Sequence, residues 1–548
     1  MEERIRKLVS EILGGKTPPI VRPPDMAHGD YAVFVGMDNA EKVAEAIRSE
    51  LVEAVSKVEI AKPGFVNIAL SREAVTFVVA EAGAKGVEWG KAGGRKQEAG
   101  SRVMIEYSNP NAFKEMHIGH LVGTVVGEAL SRLVENAGAT VARDTFGGDI
   151  GPNVAKALWG LQKKGINEPT TAQELGDAYT EGSNAYETDE SAKPPFAQGY
   201  GGAKEEIDAL NQAIYAGTDT ELMDLWRKGR DVSMEEFRRI WKLLGTHFDF
   251  EFFDSDTVET AMRVVNDGFN KNIFEKSDGA IIYNGEKKGV HTMVFITSHN
   301  TPTYEAKDIG LAFLKEERWP SDEAIIVTGN EQTGRFRTVL ASLSEIAPLL
   351  AEKTKHVATG FLKLASGKMS SREGNVITAA EFIKEVIVKA GEKNTDPLIA
   401  EQVAIGAIKY MILRQSPGSD IIFDEEKSLS LEGDSGPYLQ YALVRAKSVL
   451  AQSESSRQKA VGSPEKTYKI ERVILHYPEV AARAARELAP NLLVNYLTEL
   501  AGEWNSFYAQ ERIIGGDNEA HKLLVARAFV STMTNGLSLL GIPVPEKM

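Results

Sequence analysis

The chain has 548 residues, which excludes a single core and leads us to expect roughly three or four units of ~100–200 residues each. Its 43% hydrophobic and 26% charged residues are ordinary for a globular protein, and no apolar run nears the roughly 20 residues that cross a bilayer, so no membrane partner is expected. The absence of cysteine excludes disulfides and thiolate metal sites and is compatible with a cytoplasmic setting, while the net charge of −15 argues against a nucleic-acid partner except through local patches.

The opening "MEERIRKLVSEILGGK" reads as a charged amphipathic helix without the apolar centre of a secretory signal. The turn-rich "TPPIVRPPDMAHGDYA", a helix over roughly Asp38 to Leu51 and the alternating "VSKVEIAKPGFVNIAL" complete a small α+β unit over 1–98. Gly90 to Ser101 reads as a linker. The β-rich "RVMIEYS" follows, then a helix with Leu121, Val122, Val125, Val126, Ala129, Leu130, Leu133 and Val134 at helical spacing, stopped near Gly138. The segment "TVARDTFGGDIG" adds a strand, so the order strand, helix, strand marks half of a nucleotide-binding parallel sheet. A polar helical insertion is expected over about 153–250, with strands again at "GAIIYN", "TMVFIT" and "EAIIVTGN". From 431 to 548 the pattern is helical throughout, including "EVAARAARELAPNLLVNYLTELAGEWNSFYA".

Two of nine histidines, His117 and His120, stand in "HIGH" where the first strand hands over to its helix. Free N–H groups at such a helix start favour anions, and the imidazoles can donate to phosphate oxygens that gain charge during reaction. Gly119 between them allows a ligand close to the backbone. Taken alone, H-x-x-H is more often a surface or capping pair, and metal ligation lacks a third residue at supporting spacing. Some 250 residues later, "GKMSSREGNVIT" offers Lys368, Met369, Ser370, Ser371 and Arg372 in a glycine- and serine-rich loop suited to clamping a polyphosphate.

Together "HIGH" and "KMSSR" resemble the paired signatures of class I aminoacyl-tRNA synthetases. The stretches "EYSNPNAFKEMHIGH", "DGAIIYN", "TPTYEAKDIGLAF", "KMSSREGNV", "GPYLQYALVRAKS" and "GLSLLGIPVPEKM" are similar to the arginyl family within that class, and "HGDYAVFVGM" with "KPGFVNIAL" to its extra N-terminal domain. The resemblance implies a multidomain α/β protein. A Rossmann-type catalytic domain over 99–430 carries the helical insertion, the small α+β domain at 1–98 contacts tRNA, and 431–548 forms an all-α anticodon-binding bundle. It further implies ATP with Mg2+ and no structural metal, L-arginine and tRNA(Arg) as partners, and a cytoplasmic monomer.

For the site residues, the resemblance implies that His117, Gly119, His120, Lys368, Met369, Ser370, Ser371 and Arg372 bind ATP, with His117, His120 and Lys368 acting on the reacting phosphates. Glu106, Tyr304 and Asp308 hold the arginine side chain, joined by Gln332, and Asn111 holds its α-amino end. Tyr304 and Asp308, four apart, share one helix face. Ser371 stands where the general signature has a second lysine, and Lys114, three residues before His117, is expected to compensate. Lys307 replaces a common arginine, and "TGNEQTGRF" matches the family only loosely. Tyr438 and Tyr441 are the candidates for stacking on anticodon bases. Rival readings are another class I synthetase, a small nucleotidyltransferase with no use for the long helical end, and a silent RNA-binding paralogue, against which His117, His120 and Lys368 speak.

Overall fold

The computed structural model describes residues 1–91, 100–188, 202–365, 377–453 and 467–548. Its centre is a five-stranded parallel sheet in the order Thr354–Thr359, Glu323–Gly329, Arg102–Glu106, Thr140–Gly147, Phe250–Phe253. The first strand in sequence lies in the middle, and the chain winds outward from it in both directions. This doubly wound order leaves a crevice beyond the carboxyl ends of Arg102–Glu106 and Glu323–Gly329, where ligands of open α/β sheets collect.

The strand-to-helix reading holds at this centre. Helix Ile118–Asn136 buries Leu121, Val122, Val125, Ala129, Leu130 and Leu133, and Gly138 follows it with φ +104, a left-handed conformation that glycine accepts freely. Gly127 lets the helix pass over Tyr107, whose ring would lie 2.1 Å from an added Cβ. Helices Pro152–Lys163, Ala172–Thr188, Ala203–Ala216 and Thr220–Leu243 follow the second strand and enclose their own core around Trp159, Ile207 and Leu222.

Three features differ from the sequence pattern. Strands Phe250–Phe253 and Thr354–Thr359 flank the sheet unannounced, because one is four residues long and the other is a polar edge strand, "TKHVAT". The "GAIIYN" and "TMVFIT" strands lie outside the parallel sheet, in an antiparallel three-stranded sheet of Met293–Ile296, Ala280–Tyr283 and Glu275–Ser277. The long C-terminal helical pattern is cut into Tyr477–Arg486 and Pro490–Gln510, where Leu488 has φ +49 and Pro490 lacks the N–H that a continuous helix needs.

The N-terminal unit is a four-stranded antiparallel sheet with helices Glu2–Ile12, Met37–Glu50 and Arg72–Lys85. It shares one core with the C-terminal helices. Trp89 Nε1 donates to Thr532 Oγ1 at 3.1 Å, Asn535 Nδ2 donates to the Gly86 and Trp89 carbonyls, and Arg22 makes a two-pronged pair with Glu499. The two ends of the chain therefore form one surface. Most of the linker, residues 92–99, lies outside the described residues.

Candidate active site

The loop after the central strand is fixed by its own side chains. Ser108, Asn109 and Phe113 all have positive φ, and strain of this kind persists only where surrounding contacts enforce it. Ser108 Oγ accepts from Trp241 Nε1 and Thr124 Oγ1, both at 2.9 Å; Asn109 Oδ1 accepts from the Phe146 N–H at 2.9 Å; and the Phe113 N–H donates to Ser233 Oγ at 2.9 Å. Asn111 packs on Gly148, where an added Cβ would lie 2.3 Å from Asn111 Oδ1.

At the end of this loop His117 caps helix Ile118–Asn136, its Nδ1 accepting from the Gly119 N–H at 3.1 Å. That bond leaves the neutral ring's proton on Nε2, so Nε2–H is free to donate outward. Gly119 serves this cap, since an added Cβ would meet the His117 ring at 2.9 Å. The His120 ring stacks on His117 with centroids 3.7 Å apart, and His120 Nδ1 is buried with no hydrogen-bond partner among the described residues. Burial, then the nearby Lys114 ammonium, lowers the His117 pKa against a raising pull from Glu331; burial, His117 and Lys114 lower His120 well below its ordinary value. Both rings are neutral donors near pH 7.

A second cluster lies beside Glu106, the last residue of the central strand, between the sheet and helix Tyr304–Arg318. Glu106 and Asp308 line one cleft with Leu311, Ala312 and Lys315. Lys315 Nζ lies 2.5 Å from Glu106 Oε2 and from Asp144 Oδ2, and Asn109 Nδ2 donates to Glu106 Oε1 at 2.8 Å. Burial opposes the Lys315 charge, but Asp144 and Glu106 outweigh it and raise its pKa; burial pushes Asp144 up to about 7, with Lys315 opposing and Glu106 adding. Asp308 pairs with Arg335, whose Nε donates to Gln332 Oε1 at 2.8 Å; burial still drives the Asp308 carboxyl to about 7. Glu106, Asp144 and Asp308 thus share Lys315 and Arg335, and Lys353 pairs with Glu316 farther along the cleft. Tyr304 stands half-exposed one turn before Asp308 at the start of helix Tyr304–Arg318.

Lys307 is buried and paired with Asp254 at 2.8 Å, its Nζ 4.9 Å from the centroid of the Tyr304 ring. Lys114 rests over the Tyr179 ring of the inserted helices at 4.0 Å. Lys368, Met369, Ser370, Ser371 and Arg372 lie outside the described residues. The residues that follow them are tied to the histidine segment: the Ile118 N–H donates to the Ile377 carbonyl at 3.4 Å and the Ala379 N–H to the Met116 carbonyl at 2.6 Å. Tyr438 and Tyr441 are partly exposed on helix Gly436–Ser453, and Arg445 lies 6.0 Å from the Tyr441 ring centroid and 3.9 Å from that of Tyr508. Trp504 and Phe507 are core residues, buried against Phe529 and Tyr468.

Lys315, Asp144 and Arg335 went unmarked in the sequence, although a signal existed for each. Lys315 falls seven residues after Asp308, two turns along the same helix face, and Asp144 lies within strand Thr140–Gly147 in register with Glu106. Arg335 follows Gln332 by three, in the segment that departs from the expected pattern.

A family model described as "tRNA synthetases class I (R), catalytic domain" matches residues 85–425. Models for the "DALR anticodon binding domain" and the "Arginyl tRNA synthetase N terminal domain" match 439–548 and 1–70. The chain is similar to the arginine–tRNA ligase of Treponema denticola, 27% identical with 100% of this chain and 96% of that one covered. It is also similar to that of Streptococcus mutans, 28% identical with 96% and 95% covered. Among solved structures it is similar to Thermus thermophilus arginyl-tRNA synthetase, at 25% identity and TM-score 0.79 with 100% and 99% covered. The Plasmodium falciparum arginyl-tRNA synthetase has the same fold at 18% identity and TM-score 0.77, with 100% and 99% covered. The doubly wound sheet, the histidine-capped helix and a matched catalytic model across more than half of its length place the chain in the arginyl branch of the class I aminoacyl-tRNA synthetases.

Proposed function

We propose that this protein activates L-arginine with ATP and transfers it to the 3′ end of tRNA(Arg). The observation that carries the substrate assignment is the run of buried carboxylates Glu106, Asp144 and Asp308, the last already holding one guanidinium, that of Arg335. A buried carboxylate is costly to leave unpaired, and a bound guanidinium satisfies Asp308 with planar, two-pronged hydrogen bonds. On this reading Glu106, Tyr304, Asp308 and Gln332 receive the side chain and Asn111 the α-amino end.

In the first step an arginine carboxylate oxygen attacks the α-phosphorus of ATP, forming the mixed anhydride as the bond to pyrophosphate breaks. Neutral His117 and His120 donate hydrogen bonds to oxygens whose charge grows in that transition state, with the helix N-terminus behind them. Gly119 keeps the His117 ring in place, and Lys368, Met369, Ser370, Ser371 and Arg372 are assigned to binding ATP. In the second step a terminal ribose hydroxyl attacks the adenylate carbonyl and AMP leaves. Among the described residues no cluster of three or more His, Asp or Glu could hold a metal ion, so Mg2+ fits this site as a companion of the ATP phosphates. It supplies charge neutralisation there.

The domain at 1–98 and the bundle at 431–548 are assigned to tRNA, with Tyr438 and Tyr441 stacking on anticodon bases and the body at 99–430, insertion included, carrying the chemistry. The working form is a cytoplasmic monomer; no helix of the described residues is long and apolar enough to cross a membrane. Arginine-dependent ATP–pyrophosphate exchange with and without tRNA tests the assignment. Exchange supported by another amino acid in place of arginine overturns it.

A further inference from the structure

The guanidinium of Arg335 is held as the side chain of a free arginine would be held. Its Nη1 pairs with Asp308 Oδ2, its Nε donates to Gln332 Oε1 at 2.8 Å, and its Cζ lies 4.7 Å from the centroid of the Phe336 ring. Glu305 and Glu106 add to the negative field around it. A carboxylate, an amide oxygen and an aromatic face are the groups by which a planar cation is recognised. Asp308 and Gln332 are also the groups that the function proposed above gives to the substrate.

Resting on that function, we propose that Arg335 is an internal competitor for the arginine site: it occupies the place of the substrate guanidinium in the free protein, and L-arginine binds by displacing it. The position suits such a role. Arg335 stands on the first turn of helix Thr333–Ile346, directly after the turn Asn330–Gln332 at the carboxyl end of a central strand. Its side chain is 21% exposed, so rotation about its own bonds gives the guanidinium a route to water. While it sits on Asp308, only the fraction of molecules with Asp308 free can bind substrate, and the apparent affinity falls by that fraction. The pocket also avoids the larger cost of leaving Asp308 buried and unpaired between turnovers. Arg335 thereby sets the concentration range of arginine to which the protein responds, and weakening its hold tightens substrate binding.

The test is titration calorimetry with L-arginine on the wild type and on Arg335→Met, which keeps the contact with Phe336 and removes the charge. At pH 8.5, where Asp308 is ionised, the variant is predicted to bind at least about tenfold more tightly, the release of a competitor that occupies nine molecules in ten. A second measurement needs only natively folded wild type labelled with 15N-arginine, the Arg335 Nε–H signal being assigned with Arg335→Lys. Saturating L-arginine is predicted to move that signal to a solvent-like position. Equal or weaker binding by Arg335→Met, or an Arg335 signal unmoved by bound L-arginine, overturns the proposal. A wild type that binds no L-arginine overturns instead the function on which it rests.

Discussion

Lys315 Nζ sits between Glu106 and Asp144, 2.5 Å from an oxygen of each, so one buried ammonium serves two carboxylates. With Asp308 beyond them already pushed to about 7 by burial, the free pocket settles its excess negative charge by holding protons. A bound guanidinium that displaces Arg335 takes its place on Asp308 and leaves that balance as it was.

Arginine binding should therefore leave the proton count of the pocket near neutral pH close to unchanged, because one guanidinium replaces another on Asp308. Calorimetry in buffers of differing ionisation enthalpy reads that count, and the account predicts a value near zero. Asp144 and Asp308 do set a pH dependence of stability. Their pKa values lie above those of an unfolded chain, so the ligand-free fold loses stability as pH climbs from about 4 to about 7.

Asp308→Asn should depress kcat/KM for arginine by at least about a hundredfold, since a site built around a buried carboxylate discriminates steeply. The Michaelis constant for ATP should move little. Equal losses for both substrates would mark a folding defect, which circular dichroism and thermal melting would also detect.

How much of this was open to the sequence follows from range. The strand–helix–strand core and the capping histidines are local patterns, and the i, i+4 pair Tyr304 and Asp308 needs only helical spacing. The Lys315–Glu106–Asp144 cluster joins three elements separated by tens to hundreds of residues, which no periodicity reports. The same limit hid the hold of Arg335 on Asp308 and the assignment of "GAIIYN" to a separate small sheet, because pairing partners are chosen by tertiary packing. For Gly119 spacing suggested room for a ligand, whereas the structure gives it a nearer task under the His117 ring.

His117→Ala and His120→Ala are each predicted to slow adenylate formation with a loss of about 2.7–4 kcal/mol, the range for one donor to a developing anion. Because both rings are already neutral, the rate should not track histidine titration between pH 7 and 9. A rise confined to the Michaelis constant for ATP would make them binding groups only.

Lys114 rests on Tyr179 and lies close enough to His117 and His120 to lower their pKa values. Lys114→Ala is predicted to slow arginine activation sharply, by tenfold or more on the order of a single lost charge contact. Ser371→Lys should restore part of the rate in the double variant. Tyr179→Leu, which removes the resting place and leaves the ammonium, should retain most of the activity. Pyrophosphate exchange in the presence of tRNA resolves all four; full activity in Lys114→Ala would show that the phosphates are neutralised elsewhere.

The central claim is that the surplus of buried carboxylate selects a cationic amino acid for attachment to tRNA. The most direct measurement is aminoacylation of unfractionated tRNA by the purified chain, run separately with each of the twenty amino acids and with citrulline. The account predicts charging with arginine alone, and none with lysine or citrulline, which lack the planar cation that Asp308 and Gln332 are placed to receive. Charging with any other amino acid, or arginine-independent consumption of ATP with no charged tRNA, would contradict it.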